Sequence, residues 1–254
     1  MLCRRSLHQT AKKNAQAAAL LFSKEGSALK VRIKFTKEVS VKYLGHLDIM
    51  RFFQRCFNRA GVKMVYSEGF NPHQKMSFAM PLGLGIESRG EYLDCEIADG
   101  QNLEDVKERM NRVSGDGFHI LSVRELKENA TKVMAAVRFA SYQILFDADI
   151  AEDVIAHSTT ELQSRETYLV HKKTKKKEQD VDIIPQIIKL SYQDHKLNLT
   201  LRAGGDQNIK AETVANVLFD LMGIDYHREK ITIMRLELFA EDLIPLEDFE
   251  TVVI

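Results

Sequence analysis

The sequence predicts an α+β fold made of two tandem ferredoxin-like, split βαβ units with antiparallel sheets. Three observations predict it. Apolar residues recur by turns with a period of two and with helical spacing along the 254 residues; the order of these changes in the first half is β-α-β-β-α-β; and the second half repeats that order with extra hairpin strands. The units are expected over 30–127 and 140–254, after a poorly ordered N-terminal extension of residues 1–29 that is basic, alanine-rich and without an acidic residue before Glu25.

Each element has its own signal. Val31, Ile33 and Phe35 alternate with polar residues and predict a half-buried strand. From His46 the period changes. Ile49, Phe52, Phe53, Cys56, Phe57 and Ala60 form one face of a helix that stops at Gly61, and Arg51, Arg55 and Arg59 form a stripe on its other side. Val62–Ser67 reads as a second strand and Glu91–Ile97 as a third. Asn102 is placed to cap a helix that buries Leu103, Val106, Met110 and Val113, and Phe118–Leu126 closes the unit. In the second half Tyr142–Phe146, the helix Ala151–Ser164 and the strand Thr167–His171 precede a charged stretch over Lys172–Asp182. A hairpin turning at Gln193–His195, an apolar helix Ala211–Met222 ending at Gly223 and the strand Lys230–Phe239 follow.

Lys+Arg and Asp+Glu both number 36, so no global field draws the chain to nucleic acid, and any polyanion site must be a local patch. The three cysteines, Cys3, Cys56 and Cys95, lack metal-ligand spacing and suit a reducing compartment; Cys56 and Cys95 read as buried hydrophobes. No apolar run approaches the ~18 residues of a membrane-spanning helix, and the expected location is the cytoplasm, away from membrane. The sequence contains no iron–sulfur, zinc-hydrolase or nucleophile-elbow motif. Neither a cofactor nor a metal is expected, and the chain reads as non-catalytic on its own.

Four stretches are candidate sites. In Glu68–Ser77 a stiff turn set by Gly69 and Pro72 presents Asn71, His73, Gln74, Lys75 and Ser77 as donors and acceptors, with Tyr66, Phe70 and Phe78 able to stack on a ring; the bland alternative is a solvated hairpin loop whose aromatics close the core beneath it. At the start of the first helix His46 is an acid/base or capping candidate, and Arg51 and Arg55 would track phosphates or simply face solvent. In Lys172–Lys177, Lys172, Lys173, Lys175 and Lys176 contribute to the densest positive charge in the chain. In the turn Ala203–Ile209, Gly204, Gly205 and Asn208 resemble a phosphate cradle without matching a phosphate-loop motif.

The segments KVRIKF at 30–35, LGHLDIMRFFQRCFNRAG at 44–61, YSEGFNPHQKMSFAMPLGLGIES at 66–88 and EYLDCEI at 91–97 resemble the bacterial radical-SAM-linked family, a domain of unknown function found alone or fused to B12-binding radical SAM proteins. The resemblance implies a radical SAM partner and no catalytic residues. The readings that follow are an RNA-binding accessory factor in RNA maturation or modification, a protein-interaction partner or substrate-presenting subunit of a radical SAM enzyme, and a metal-independent endoribonuclease using His46 or His73.

Overall fold

The computed structural model describes residues 28–173, 178–205 and 208–252. The first half runs β1 (Ala28–Lys37), α1 (His46–Arg59), β2 (Met76–Phe78), β3 (Glu87–Ala98), α2 (Leu103–Ser114) and β4 (Ile120–Glu125). β3 pairs antiparallel with β1 and β2, and β1 with β4, which gives the order 4-1-3-2 of a ferredoxin-like unit. After the one-turn α3 (Val133–Ala136), the second half repeats it. β5 (Phe139–Phe146), α4 (Glu152–Ser164), β8 (Ile187–Gln193), β9 (Lys196–Arg202), α5 (Ala211–Met222) and β10 (Ile231–Phe239) give the order β10-β5-β9-β8.

Two sequence expectations are corrected. Val62–Ser67 is not the second strand: Met64 and Tyr66 form only isolated bridges, to Ile97 and Gln74, and the short β2 takes that place. The extra element of the second half is not the hairpin at Gln193–His195, which is integral to the sheet. It is a two-stranded ribbon, β6 (Leu169–Lys173) with β7 (Glu178–Asp182), standing apart from the main sheet.

The halves join edge to edge in one eight-stranded sheet through a short parallel pairing of β10 with β3, Met234 opposite Glu87 and Arg235 opposite Ser88. Gly90 permits this seam: a Cβ there would lie 2.6 Å from the Glu237 Cα and 2.7 Å from the Leu236 carbonyl oxygen, both backbone atoms. One core gathers Val31, Ile33 and Phe35 under α1 and α2, with Phe35 edge-on to Phe53 at 4.6 Å and Phe52 stacked on Phe118 at 4.2 Å. The other gathers Tyr142, Ile144, Leu199 and Leu201 under α4 and α5. The C-terminal residues 240–252 return across the first half, where Arg32 donates to the Leu246 and Phe249 carbonyls at 2.9 and 3.0 Å. Among the described residues no helix is long and apolar enough to cross a membrane.

Candidate functional site

α1 buries Ile49, Phe53, Cys56 and Phe57 and leaves Arg51, Arg55 and Arg59 exposed, as the helical period requires. Arg51 lies 3.5 Å from Asp48, an exposed pair of little energetic weight. Asn58 falls on the Arg51–Arg55 stripe at the next helical turn, and its side-chain oxygen accepts from Gln74 Nε2 at 3.0 Å. That bond docks the 66–75 loop onto the end of the arginine face. The loop is stiff for a visible reason: the Ser67 N–H donates to the His73 carbonyl at 2.8 Å, the Ser67 hydroxyl bonds His73 Nδ1 at 2.8 Å, and the backbone of Gly69 stands at φ +113°. At its tip Phe70 is fully exposed, with Tyr66 and Asn71 also exposed beside it.

Behind the loop lies a cleft of about 350 Å³ between β2, β3 and residues 126–133. His73, Lys75 and Ser77 line it together with Lys30, Lys132 and Asp94. Lys75 is tied to Glu96 at 2.8 Å. His46 is elsewhere: its ring meets Phe78 edge-on at 5.3 Å and lines a small cavity with Phe35, Ile49 and Tyr92, so the two candidate histidines open onto different spaces. Burial raises the Cys56 thiol to about 11 and pushes the Cys95 thiol up as well, so neither is poised as a nucleophile.

The remaining candidates meet the far end of the same loop. Asn208 contacts the Met80 sulfur at 3.8 Å through Nδ2, and its carbonyl accepts from Lys172 Nζ at 2.9 Å. Gly204 serves packing, since a Cβ there would meet the Val137 carbonyl oxygen at 2.5 Å; Gly205 is exposed with open space around it. Lys173 ends β6, while Lys175 and Lys176 lie outside the described residues. The segment from Tyr66 to Gly85, which includes β2, therefore runs from the arginine face to the second half, with residues 73–77 and 80–83 lining separate cavities; within it Phe78 and Gln74 are buried, Phe78 in the first core and Gln74 against Asn58, so neither is presented to a ligand as the sequence suggested.

Sequence reasoning missed a buried polar row at the seam. Lys37 stands opposite Ser88 on one side and Arg235 stands opposite it on the other; Arg235 in turn pairs with Tyr142. Lys37, Ser88 and Arg235 are each 0% exposed. Arg235 donates through Nε to Glu91 Oε1 at 3.0 Å and through Nη2 to both Glu91 and the Met80 carbonyl, the latter at 3.0 Å. The guanidinium also interacts with the Tyr142 hydroxyl, whereas the Lys37 amine has no hydrogen-bond partner among the described residues. Burial pushes the Lys37 amine below the ordinary lysine value, with Glu91 opposing and Arg235 reinforcing. β-Bulges adjoin both residues, at Phe35/Lys37 in β1 and Arg235/Glu237 in β10, a feature enriched beside functional sites. The sequence did carry a signal: Lys37 continues the apolar phase of Val31, Ile33 and Phe35, and Arg235 that of Ile231 and Ile233.

The fold defines an α+β protein of two ferredoxin-like halves with a stiff polar loop on its surface and a buried polar row at the seam. The family described as "Uncharacterized protein conserved in bacteria (DUF2344)" matches residues 30–211, more than half of the chain, and the chain belongs to that family. No curated protein matches it. Among solved structures, a Cbf5-Nop10-Gar1 complex is similar with 9% identity and a TM-score of 0.45 over 89% of this chain, which spans 61% of the length of that neighbour. An unknown protein from Galdieria sulphuraria is similar with 12% identity and a TM-score of 0.24, covering 89% of this chain and all of the other.

Proposed function

We propose that this chain is a cytoplasmic RNA-binding accessory factor, and that the RNA lies along Arg51 and Arg55 with a base stacked on Phe70. The observation that carries this reading is the Gln74–Asn58 bond, which fixes a fully exposed aromatic ring at the end of an arginine-striped helix. Phosphates on guanidinium groups and bases on aromatic faces are the two halves of single-strand recognition. An exposed Phe at a stiff loop tip also exposes apolar area to water for no packing gain, which a stacking partner would offset. The motif resemblance adds a radical SAM protein as the partner for which the RNA would be held.

Filter binding of single-stranded RNA at low salt tests it. Phe70→Ala should weaken binding about tenfold, within the ~1–3 kcal/mol of a base–aromatic stack, and Arg51→Ala with Arg55→Ala should reduce the dependence on salt by about two counterions. Equal affinity of all three proteins would end this reading. A specific surface favours the second reading, a protein-docking role: Val39, Tyr43, Leu47 and Leu84 are exposed apolar residues on segments joined by the bond from the Gly85 N–H to the Lys42 carbonyl. Capture of a radical SAM protein that is lost in Tyr43→Ser, with RNA binding unchanged, would support it.

A further inference from the structure

The cleft of about 350 Å³ behind the 66–75 loop is built on the face of the first half's strands opposite α1 and α2. Val31 and Ile33 of β1 and Leu93, Cys95 and Ile97 of β3 join the core under those helices, so the residues alternating with them point the other way. Register then sets Lys30 opposite Glu96, Arg32 opposite Asp94 and, from β2, Ser77 opposite Asp94. Residues 126–133 cover part of this face and are tied to it: the Leu126 N–H donates to the Lys30 carbonyl at 2.9 Å, the Thr131 N–H and hydroxyl donate to Glu250, and the Val133 N–H donates to Asp94. The space left between that cover and β2 is a cleft with preformed walls, within the ~300–1,000 Å³ of small-molecule sites.

Three kinds of group line it. The cations are Lys30, Lys75 and Lys132. The acids beside them are spent within the protein: Asp94 is held by Arg32 through both oxygens, at 2.8 and 2.9 Å, and Glu96 by Lys75 at 2.8 Å. Lys30, which uses one N–H on the Glu128 carbonyl at 3.3 Å, and Lys132, which joins no ion pair among the described residues, are both exposed and leave the cleft cationic. Met76 and Ala130, each half-buried, give it an apolar wall. The Ser77 hydroxyl and His73 complete it; Ser67 holds Nδ1 of that ring, so Nε2 is the nitrogen left for a ligand. A simple oxyanion would leave the wall unused, and a purely apolar molecule would leave two ammonium groups without a counter-charge. A flat ring carrying a phosphate uses both, the ring against the Met76 thioether and the phosphate on the lysines.

We propose that this cleft binds one nucleoside phosphate, its base against Met76 and Ala130 and its phosphate on Lys30 and Lys132. None of Arg51, Arg55 and Phe70 takes part, so the site stands apart from the proposed RNA track, although a free nucleotide and a nucleotide of bound RNA carry the same chemistry. Isothermal titration of the full chain with adenosine monophosphate and with uridine monophosphate is the test. At least one should bind saturably, one per chain, and about tenfold or more tighter than its nucleoside or inorganic phosphate at matched ionic strength. Lys132→Glu should weaken it by about tenfold or more with the Tm unchanged, and Ala130→Leu, which fills the apolar side without touching a charge, by a similar factor. Lys196→Glu, the same charge change on the β8–β9 turn, and Phe70→Ala should leave it unaltered, so that this site and the RNA reading fail separately. A single-stranded RNA that displaces the mononucleotide would put the cleft on the path of the RNA, and one that binds beside it would mark the free nucleotide as the ligand; both support the site. No saturable binding of either nucleotide, a nucleoside or inorganic phosphate that binds as tightly, or equal losses in Lys132→Glu and Lys196→Glu would overturn the proposal.

Discussion

Lys37 is the residue whose placement costs the fold most visibly. Its amine is fully buried, makes no hydrogen bond, and sits within the field of Glu91 and Arg235. An unsatisfied buried donor of this kind costs about 1–3 kcal/mol, so Lys37→Met, which keeps the unbranched stem, should stabilise the protein by that order. The sign with pH follows from the lowered pKa. Between the lowered folded value and the ordinary 10.5 the unfolded chain binds more protons, so native stability rises with pH through that window. The methionine variant lacks this slope, and its advantage is largest below the window and shrinks as pH approaches 10.5. Urea unfolding of both proteins at neutral and alkaline pH measures it; a less stable methionine variant at neutral pH would show that the amine has a stabilising contact. A residue kept at such a cost is expected where function rather than stability sets the choice.

At the scale of elements, the seam rests on Gly90. Gly90→Ala sets a methyl group against the β10 backbone, which has no rotamer to change, and should cost roughly 2 kcal/mol or more. Gly83→Ala, whose nearest neighbour is the Ile86 Cδ1 at 3.4 Å, is the comparison that should be nearly neutral. Near-equal urea midpoints for the two would mean that the β3–β10 contact is not tight. The helices were legible in the sequence because each carries an apolar stripe and a punctuating residue: Asn102 does cap α2, accepting from the Asp105 N–H at 2.9 Å, and Gly223 does end α5 in a left-handed conformation. The strands were legible only where one face is buried. Glu178–Asp182 reads EQDVD because the ribbon stands off the core, so no alternation marks it, and β2 is three residues, too short for any period to declare. The stiffness of the candidate loop was legible as composition, since Gly69 and Pro72 sit among polar residues that favour a turn. The polar seam was visible only as two charges in apolar phase; that Lys37 and Arg235 flank one serine depends on a β3–β10 pairing between residues far apart in the chain, and spacing carries no trace of it.

For the molecule as a whole, the question is what makes two halves one folding unit, since the parallel seam is only two residue pairs long. The C-terminal segment supplies the answer. Leaving β10 of the second half, it crosses the first: Thr251 bridges Leu126, the Lys127 N–H donates to the Glu250 carbonyl, and Arg32, already paired with Asp94, takes the Leu246 and Phe249 carbonyls. Glu247 is the charged centre of this strap, 3.0 Å from Lys34, which also holds Glu237 at 2.7 Å. Burial works against the Glu247 carboxylate, but the Ser122 hydroxyl, Lys34 and Arg124 outweigh it and bring its pKa below the ordinary 4.5. Lys34, despite its own burial, is held above 10.5 by Glu237 and Glu247. The strap's electrostatic contribution is therefore complete between pH 4.5 and 10.5. It is lost as pH falls through the lowered Glu247 value and, separately, as pH rises through the raised Lys34 value. Glu247→Gln should cost about 1.5–3 kcal/mol at neutral pH, the range for a hydrogen bond to a charged group, and should flatten the acid limb below pH 4.5 while leaving most of the alkaline limb, which Glu237 still supports. Followed by fluorescence and by circular dichroism in urea, the native chain should unfold in one coincident transition; in Glu247→Gln the two probes should begin to separate as the first half loosens from the second. Coincident curves with an unchanged acid limb would show that the short β3–β10 seam suffices to couple the halves.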